Sequence, residues 1–418
     1  MRNNYIKKTL KNGVKLYLYI DKKMKRTYVD YGIFYGSLGY FYDFYLNDKY
    51  YKVLPGCAHF LEHLLGEHSK YGNIYKKFSA KKYAVNATTG DKYTHYYFWG
   101  IENIFESIKE LINIVDDPVF NEEDIKKTSE AICEETKRGL DNKRLVAWAI
   151  CLRNLYPNME LVSDTLNRIG NEVTTRQINF DMLKACYDAY YSDDNKFLLI
   201  AGNIDEKEIT DYIESIYEDI TPHSNNRKEY IYSNNYEIKK DIQIEYMPTS
   251  DDYVMIGYKQ KSNKDFNMKE IRYFMEFILE TKFSDDSDFI EEMKKKNIIS
   301  QLEDKVIQDI KDSYYFIIGV SSNKYKEFYK HLNNELKQNN FTQQDFDLFK
   351  KVLIANQAFK MDSKYQQFMS FSYRFEYSEE FDDIDFIKKL SFDCFKEFYN
   401  TLDFSKNTIA IIRNPEVK

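Results

Sequence analysis

A chain of 418 residues is longer than one hydrophobic core organises, and with 43% apolar residues it can fill two or three packed domains. Its net charge of −7 gives no electrostatic footprint for DNA or RNA, and basic runs such as Lys294-Lys295-Lys296 read as solvated helix faces. No stretch approaches the ~20 apolar residues of a membrane span, and Met1 to Lys8 lacks a signal-like apolar run, so a cytoplasmic protein without membrane insertion is expected. Cys57, Cys133, Cys151, Cys186 and Cys394 are odd in number and contain no C-x-x-C pair, which argues against a disulfide framework and a thiolate metal site.

The chain opens with a hairpin signal: alternating residues, Lys11-Asn12-Gly13, then Val14 to Ile20. A strand is predicted over Thr27 to Phe34. After a loop ending in Pro55-Gly56, one helix carries His59-Phe60-Leu61-Glu62-His63 and a second spans about Asn73 to Lys82. Val85 to Thr89 and Tyr93 to Trp99 read as paired strands around Gly90-Asp91. A helical pattern covers Glu102 to Val115, and Asn121-Glu122-Glu123-Asp124 is the capped, acidic start of a long helix ending near Gly139.

Leu183 to Tyr191 then runs as a helix into a strand from Asn195 to Asn203, and the pattern returns where Phe392 to Asn400 leads into Asn407 to Asn414. Cys186 and Cys394 lie half a chain apart, so each half ends with a helix feeding a buried strand. Pro222-His223-Ser224-Asn225-Asn226 reads as a linker, followed by strands at about Glu237 to Tyr246 and Tyr253 to Lys259. The expectation is an α+β fold used twice, an internal duplication with an N-terminal domain over 1–221, a linker over 222–235 and a C-terminal domain over 236–418.

Residues four apart on a helix share a face, so His59 and His63 can offer two imidazoles to one metal ion, and Glu62 beside them can take a proton from activated water. A zinc site of this kind needs a third protein ligand from elsewhere. Ser129 to Arg138 offers Glu130, Glu134 and Glu135; Glu135 shares the apolar stripe of Ile132, whereas the other two look solvent-directed, and spacing alone leaves all three open. His68 and His95 read as neighbouring or surface residues, and Cys57 and Cys133 as small core residues.

At these residues the chain resembles the pitrilysin/insulinase family of zinc endopeptidases, and most of all its short bacterial members and the mitochondrial processing peptidase. The matching features are Gly56 to His63 with its inverted HxxEH motif; Asn86-Ala87-Thr88-Thr89 with Thr94-His95-Tyr96; and Glu130 to Glu135. The resemblance implies His59, His63 and Glu135 as ligands of one zinc ion per chain and Glu62 as general base. It implies a peptide-contacting edge strand at Asn86 and Ala87, and a domain pair forming one half of a clamshell chamber. Leader or precursor peptides are the implied substrates.

Two departures stand out. Where the family often has a Glu seven residues before its zinc Glu, supporting the site from behind, this chain has Thr128. Where active members place an Arg and, seven residues later, a Tyr, it has Met293 and Ser300, which provide neither guanidinium nor phenol. The resemblance therefore implies a zinc-bearing subunit of a heterodimer whose partner supplies Arg and Tyr. The alternative is a non-catalytic structural or peptide-binding subunit.

Overall fold

The computed structural model describes residues 5–157, 171–230, 237–310, 312–362, 368, 372 and 383–415. Strands β1 (Tyr5–Thr9) and β2 (Lys15–Ile20) form the opening hairpin, which turns where Gly13 adopts φ 105°, a left-handed conformation that a side chain would strain. After β3 (Thr27–Ile33), a stretch that reads as loop in the sequence holds a second hairpin, β4 (Asp43–Leu46) and β5 (Lys49–Lys52). Its turn residues Asn47 and Asp48 both have positive φ, as a tight turn matched to strand twist requires.

Helices α1 (Cys57–His68) and α2 (Ile74–Ala80) lead into the hairpin of β6 (Ala84–Thr89) and β7 (Thr94–Gly100). The Asn73 side chain caps α2 by accepting from the Lys76 amide. There follow α3 (Ile104–Asp116), α4 (Glu122–Leu140), α5 (Lys143–Leu155), α6 (Glu172–Gln177), α7 (Phe180–Tyr190), β8 (Lys196–Gly202), α8 (Glu206–Glu218) and β9 (Arg227–Glu229). The second half contributes β10 (Ile242–Tyr246), β11 (Tyr253–Lys261), α9 (Met268–Phe283), α10 (Asp288–Lys295), β12 (Gln301–Ile310) and β13 (Ser313–Ser321). It ends with α11 (Tyr325–Leu336), α12 (Gln343–Asp362), α13 (Ile384–Lys389), α14 (Phe392–Tyr399) and β14 (Asn407–Arg413).

The sheets carry the duplication. One has the strand order β1-β2-β8-β3-β7-β6 and the other β10-β14-β11-β13-β12. Without β1 they correspond strand for strand, directions included: β2 and β8 are parallel, as are β10 and β14, and the other neighbours are antiparallel. The parallel pair arises because the last strand of each half returns through helices to lie beside the first. β8 is buried along its whole length, consistent with its unbroken apolar run.

The chain interleaves two compact units. The described residues up to Gly139, those of 171–230, Phe368 and Ser372 form the first unit; those of 140–157, 237–362 and 383–415 form the second. Helix α5 therefore belongs to the second unit, where it lies on β11 and β14; a Cβ at Gly257 would meet Leu155 Cδ1 at 3.0 Å. Phe368 belongs to the first, against the rings of Tyr19 and Tyr28. Within the stretch 222–235 expected as a linker, β9 pairs with β4, and His223 and Asn225 bond to Asp193 and to the backbone of Asp188, completing polar groups of the first unit. Residues 231–236 of that stretch lie outside the described residues.

Each unit has its own apolar core. The first also buries an ionic cluster in which Lys196 Nζ lies 2.7 Å from Asp116 Oδ1 and 2.9 Å from Asp193 Oδ1, while the Tyr31 hydroxyl donates to Asp116 Oδ2. Buried charges persist only when paired in this way. All five cysteines are free thiols, and Cys57 and Cys133 are buried core residues as expected. Among the described residues no helix is long and apolar enough to cross a membrane.

Candidate metal centre

The site is built on α1. Gly56, at φ 94°, turns the chain into the helix, whose residues Cys57, Ala58, Phe60, Leu61, Leu64 and Leu65 enter the core of the first unit. The inward face of the helix takes His59 and Glu62 into the interior with it, while His63, Glu67 and His68 are half-buried. His59 is 6% exposed and Glu62 5%.

One turn apart, the two imidazoles meet edge to face with Nε2 atoms 3.1 Å apart. Glu135, from α4, brings Oε2 to 3.5 Å from His63 Nε2 and 3.7 Å from His59 Nε2. Of the three carboxylates left open by spacing, Glu130 and Glu134 are exposed, and Glu134 pairs with Lys137 instead. A second tie between the helices, His68 Nδ1 to Asp124 Oδ1 at 3.4 Å, keeps α4 in register with α1.

Among the described residues these three side chains form the group of metal-ligating type, with donor atoms within 4.8 Å of one another. Zinc with nitrogen and oxygen ligands at ~2.0–2.1 Å in tetrahedral array has donor–donor edges of about 3.3 Å. The spacings of 3.1, 3.5 and 3.7 Å therefore fit such an ion after sub-ångström adjustment.

Charge argues the same way. Burial alone would depress His63, but hydrogen bonds to Glu135 and Glu67 raise it to about 10. Those bonds hold Glu135 and Glu67 below the usual carboxylate range. The cluster thus draws in positive charge, which a divalent cation would supply more fully. Glu62 behaves in the opposite sense: burial lifts its carboxyl to about 7, against the opposing pull of the Thr89 hydroxyl and His63.

Asn86 and Ala87 lie on β6, the outer strand of its sheet. Asn86 is exposed and its Nδ2 donates to the Tyr97 hydroxyl on the neighbouring strand. Thr89, an odd number of residues on, projects from the other face and donates to Glu62 Oε2 at 2.7 Å. The Tyr96 hydroxyl bonds the Leu61 carbonyl, so β7 also touches α1 one residue before Glu62. His95 is buried with Asp30 at 3.2 Å, and His68 serves the α1–α4 tie.

Two contacts were not legible as site features in the sequence. Thr89 is separated from Glu62 by 27 positions, so only the fold joins them. Glu67 bonds His63 Nδ1 at 2.8 Å, and its signal was the four-residue spacing that already linked His59 to His63. In the second unit, Met293 is buried in the core on α10, and the Ser300 hydroxyl bonds Asp251 and the Ser321 carbonyl.

The profile of the insulinase family, peptidase family M16, matches residues 50–166, and that of the peptidase M16 inactive domain matches residues 177–353. The zinc protease YmfH of Bacillus subtilis, itself uncharacterised, is 25% identical over 296 residues, which span 70% of this chain and 68% of that protein. An uncharacterised zinc protease of Rickettsia bellii is 28% identical over 170 residues, 40% of either chain, so that match spans well under half of the relative. The same fold occurs in a putative M16-like peptidase from Alicyclobacillus acidocaldarius, with TM-score 0.86 and 18% identity over 98% of both chains. A protease from Helicobacter pylori shares it with TM-score 0.77 and 17% identity over 98% of this chain and 99% of that one. Two adjoining profile matches, relatives named as zinc proteases and a fold shared along the whole chain place this protein in the pitrilysin/insulinase (M16) peptidase family.

Proposed function

We propose that the chain is a zinc-dependent endopeptidase acting on short peptides or on precursor and leader peptides, with His59, His63 and Glu135 holding one zinc ion and Glu62 as general base. The observation that carries this reading is the convergence of two Nε2 atoms and a carboxylate oxygen beside a buried carboxyl poised near neutrality. Zinc bound there supplies Lewis-acid polarisation of the scissile carbonyl and of water. Glu62 accepts the proton of the attacking water and returns it to the leaving amine, a role suited to a carboxyl whose burial raises its proton affinity. The outer edge of β6 offers backbone donors and acceptors to an extended peptide, which binds as an added strand past Asn86 and Ala87. Recognition through backbone makes few demands on side-chain identity.

The family resemblance puts Met293 and Ser300 at the positions where active members carry Arg and Tyr, and on this reading the groups that stabilise the tetrahedral intermediate come from a second family subunit in a heterodimer. The test is cleavage of fluorogenic peptides by the zinc-loaded chain, alone and mixed with a family subunit bearing Arg and Tyr. Activity confined to the mixture supports both statements. Full activity of the chain alone overturns the heterodimer, and failure of the purified chain to take up zinc overturns the peptidase in favour of a non-catalytic subunit.

A further inference from the structure

We propose that Glu67 is the positioning residue of the metal centre, holding His63 through Nδ1 so that Nε2 is presented to the ion. The proposal rests on the zinc-peptidase reading of the site. His59, His63 and Glu67 succeed one another at four-residue intervals along α1, so one helical face carries ligand, ligand and carboxylate in line. The His63 ring lies between its neighbours: Nε2 is 3.1 Å from His59 Nε2 and 3.5 Å from Glu135 Oε2, while Nδ1 is 2.8 Å from Glu67 Oε1. An imidazole that ligates through Nε2 carries its proton on Nδ1, and that proton needs an acceptor. Glu67 is that acceptor, on the side of the ring away from the convergence point. It therefore orients the ligand without joining the ligand set.

The position from which the family's supporting carboxylate would come cannot do this here. Thr128 is buried, and its hydroxyl has no hydrogen-bond partner among the described residues. The support comes instead from α1, the helix that carries both histidines, so ligand and orienting group move as one rigid element.

The experiment measures zinc dissociation constants by chelator competition for the wild-type chain, Glu67→Gln and Glu67→Leu, with His59→Ala as a control and the folding of each metal-free chain followed by circular dichroism. Glu67→Leu is expected to weaken zinc binding by about 10–100-fold with secondary structure intact. Glu67→Gln keeps an oxygen that accepts from Nδ1 and is expected to recover most of that loss; this rescue would not follow from a purely structural role. Zinc binding by both variants within twofold of wild type overturns the proposal. If wild type and His59→Ala are alike in taking up no zinc, the peptidase reading itself fails, an outcome distinct from the first.

Discussion

Thr89 Oγ1 donates a hydrogen bond to Glu62 Oε2 across 2.7 Å, joining the end of the outer strand β6 to the proposed base on α1. The same bond opposes the burial that lifts Glu62 to about 7. Thr89→Val removes it without changing shape. The expected result is about a tenfold fall in kcat, from the loss of roughly one hydrogen bond to a charged group, and a shift of the acid limb of the pH–rate profile to higher pH. Thr89→Ser should restore both; an unmoved acid limb in the valine variant would show that the bond does not tune Glu62.

Glu62→Gln separates metal binding from proton transfer. Because Glu62 bonds Thr89 and is not one of the converging donors, the variant should bind zinc as wild type does and lose about 10²–10⁴-fold in kcat. Elemental analysis of the chain beside peptidase assays of its mixture with the Arg- and Tyr-bearing subunit checks both. Loss of the metal would mean that Glu62 has been assigned the wrong role.

The same residue makes the stability of the metal-free chain depend on pH. Its folded carboxyl titrates at about 7 against an ordinary 4.5, so the folded state holds its proton more tightly than the unfolded chain. Stability from this group is therefore full below the unfolded value, falls as pH rises toward 7 and then levels off, a change of roughly 3 kcal/mol. Metal-free Glu62→Gln should consequently resist urea better than metal-free wild type at pH 8 and show little advantage at pH 4.5. Equal denaturation midpoints at pH 8 would contradict the burial argument.

Alanine at His59, His63 or Glu135 should each abolish stoichiometric zinc, since two remaining donors cannot complete the site. Glu134→Ala, an exposed neighbour paired with Lys137, is the matched control and should retain the ion. Zinc retained by Glu135→Ala would move the third ligand elsewhere.

Lys196 is 1% exposed between Asp116 and Asp193. Lys196→Met leaves two buried carboxylates without their cation, and a loss of about 3–5 kcal/mol is expected in chemical denaturation. A loss below 1 kcal/mol would show that the Tyr31 hydroxyl and water suffice to satisfy Asp116.

What could be read from residue order was what depends on neighbours along the chain. The Gly13 turn, the helix start near Asn73, the paired strands around Gly90-Asp91 and the i,i+4 pair His59 and His63 are local signals, because backbone conformation and helical faces are set within a few residues. The repeat marked by Cys186 and Cys394 was visible too, and it emerged as two sheets of matching topology. Folding in three dimensions decided the rest. The β4–β5 hairpin has a turn of Asn47 and Asp48 without the glycine that announces such turns, and α5 joins the second unit because its apolar face fits the sheet at Gly257. Spacing leaves Glu130, Glu134 and Glu135 open and the family resemblance points to Glu135; its carboxylate meets the two imidazoles because α4 lies against α1, as Thr89 reaches Glu62 because β6 does. The pentapeptide from His59 to His63 carries the spacing of a metal site, but packing between elements distant in sequence brings Glu135 to it and buries Glu62, because burial and contact across the chain are properties no local spacing encodes.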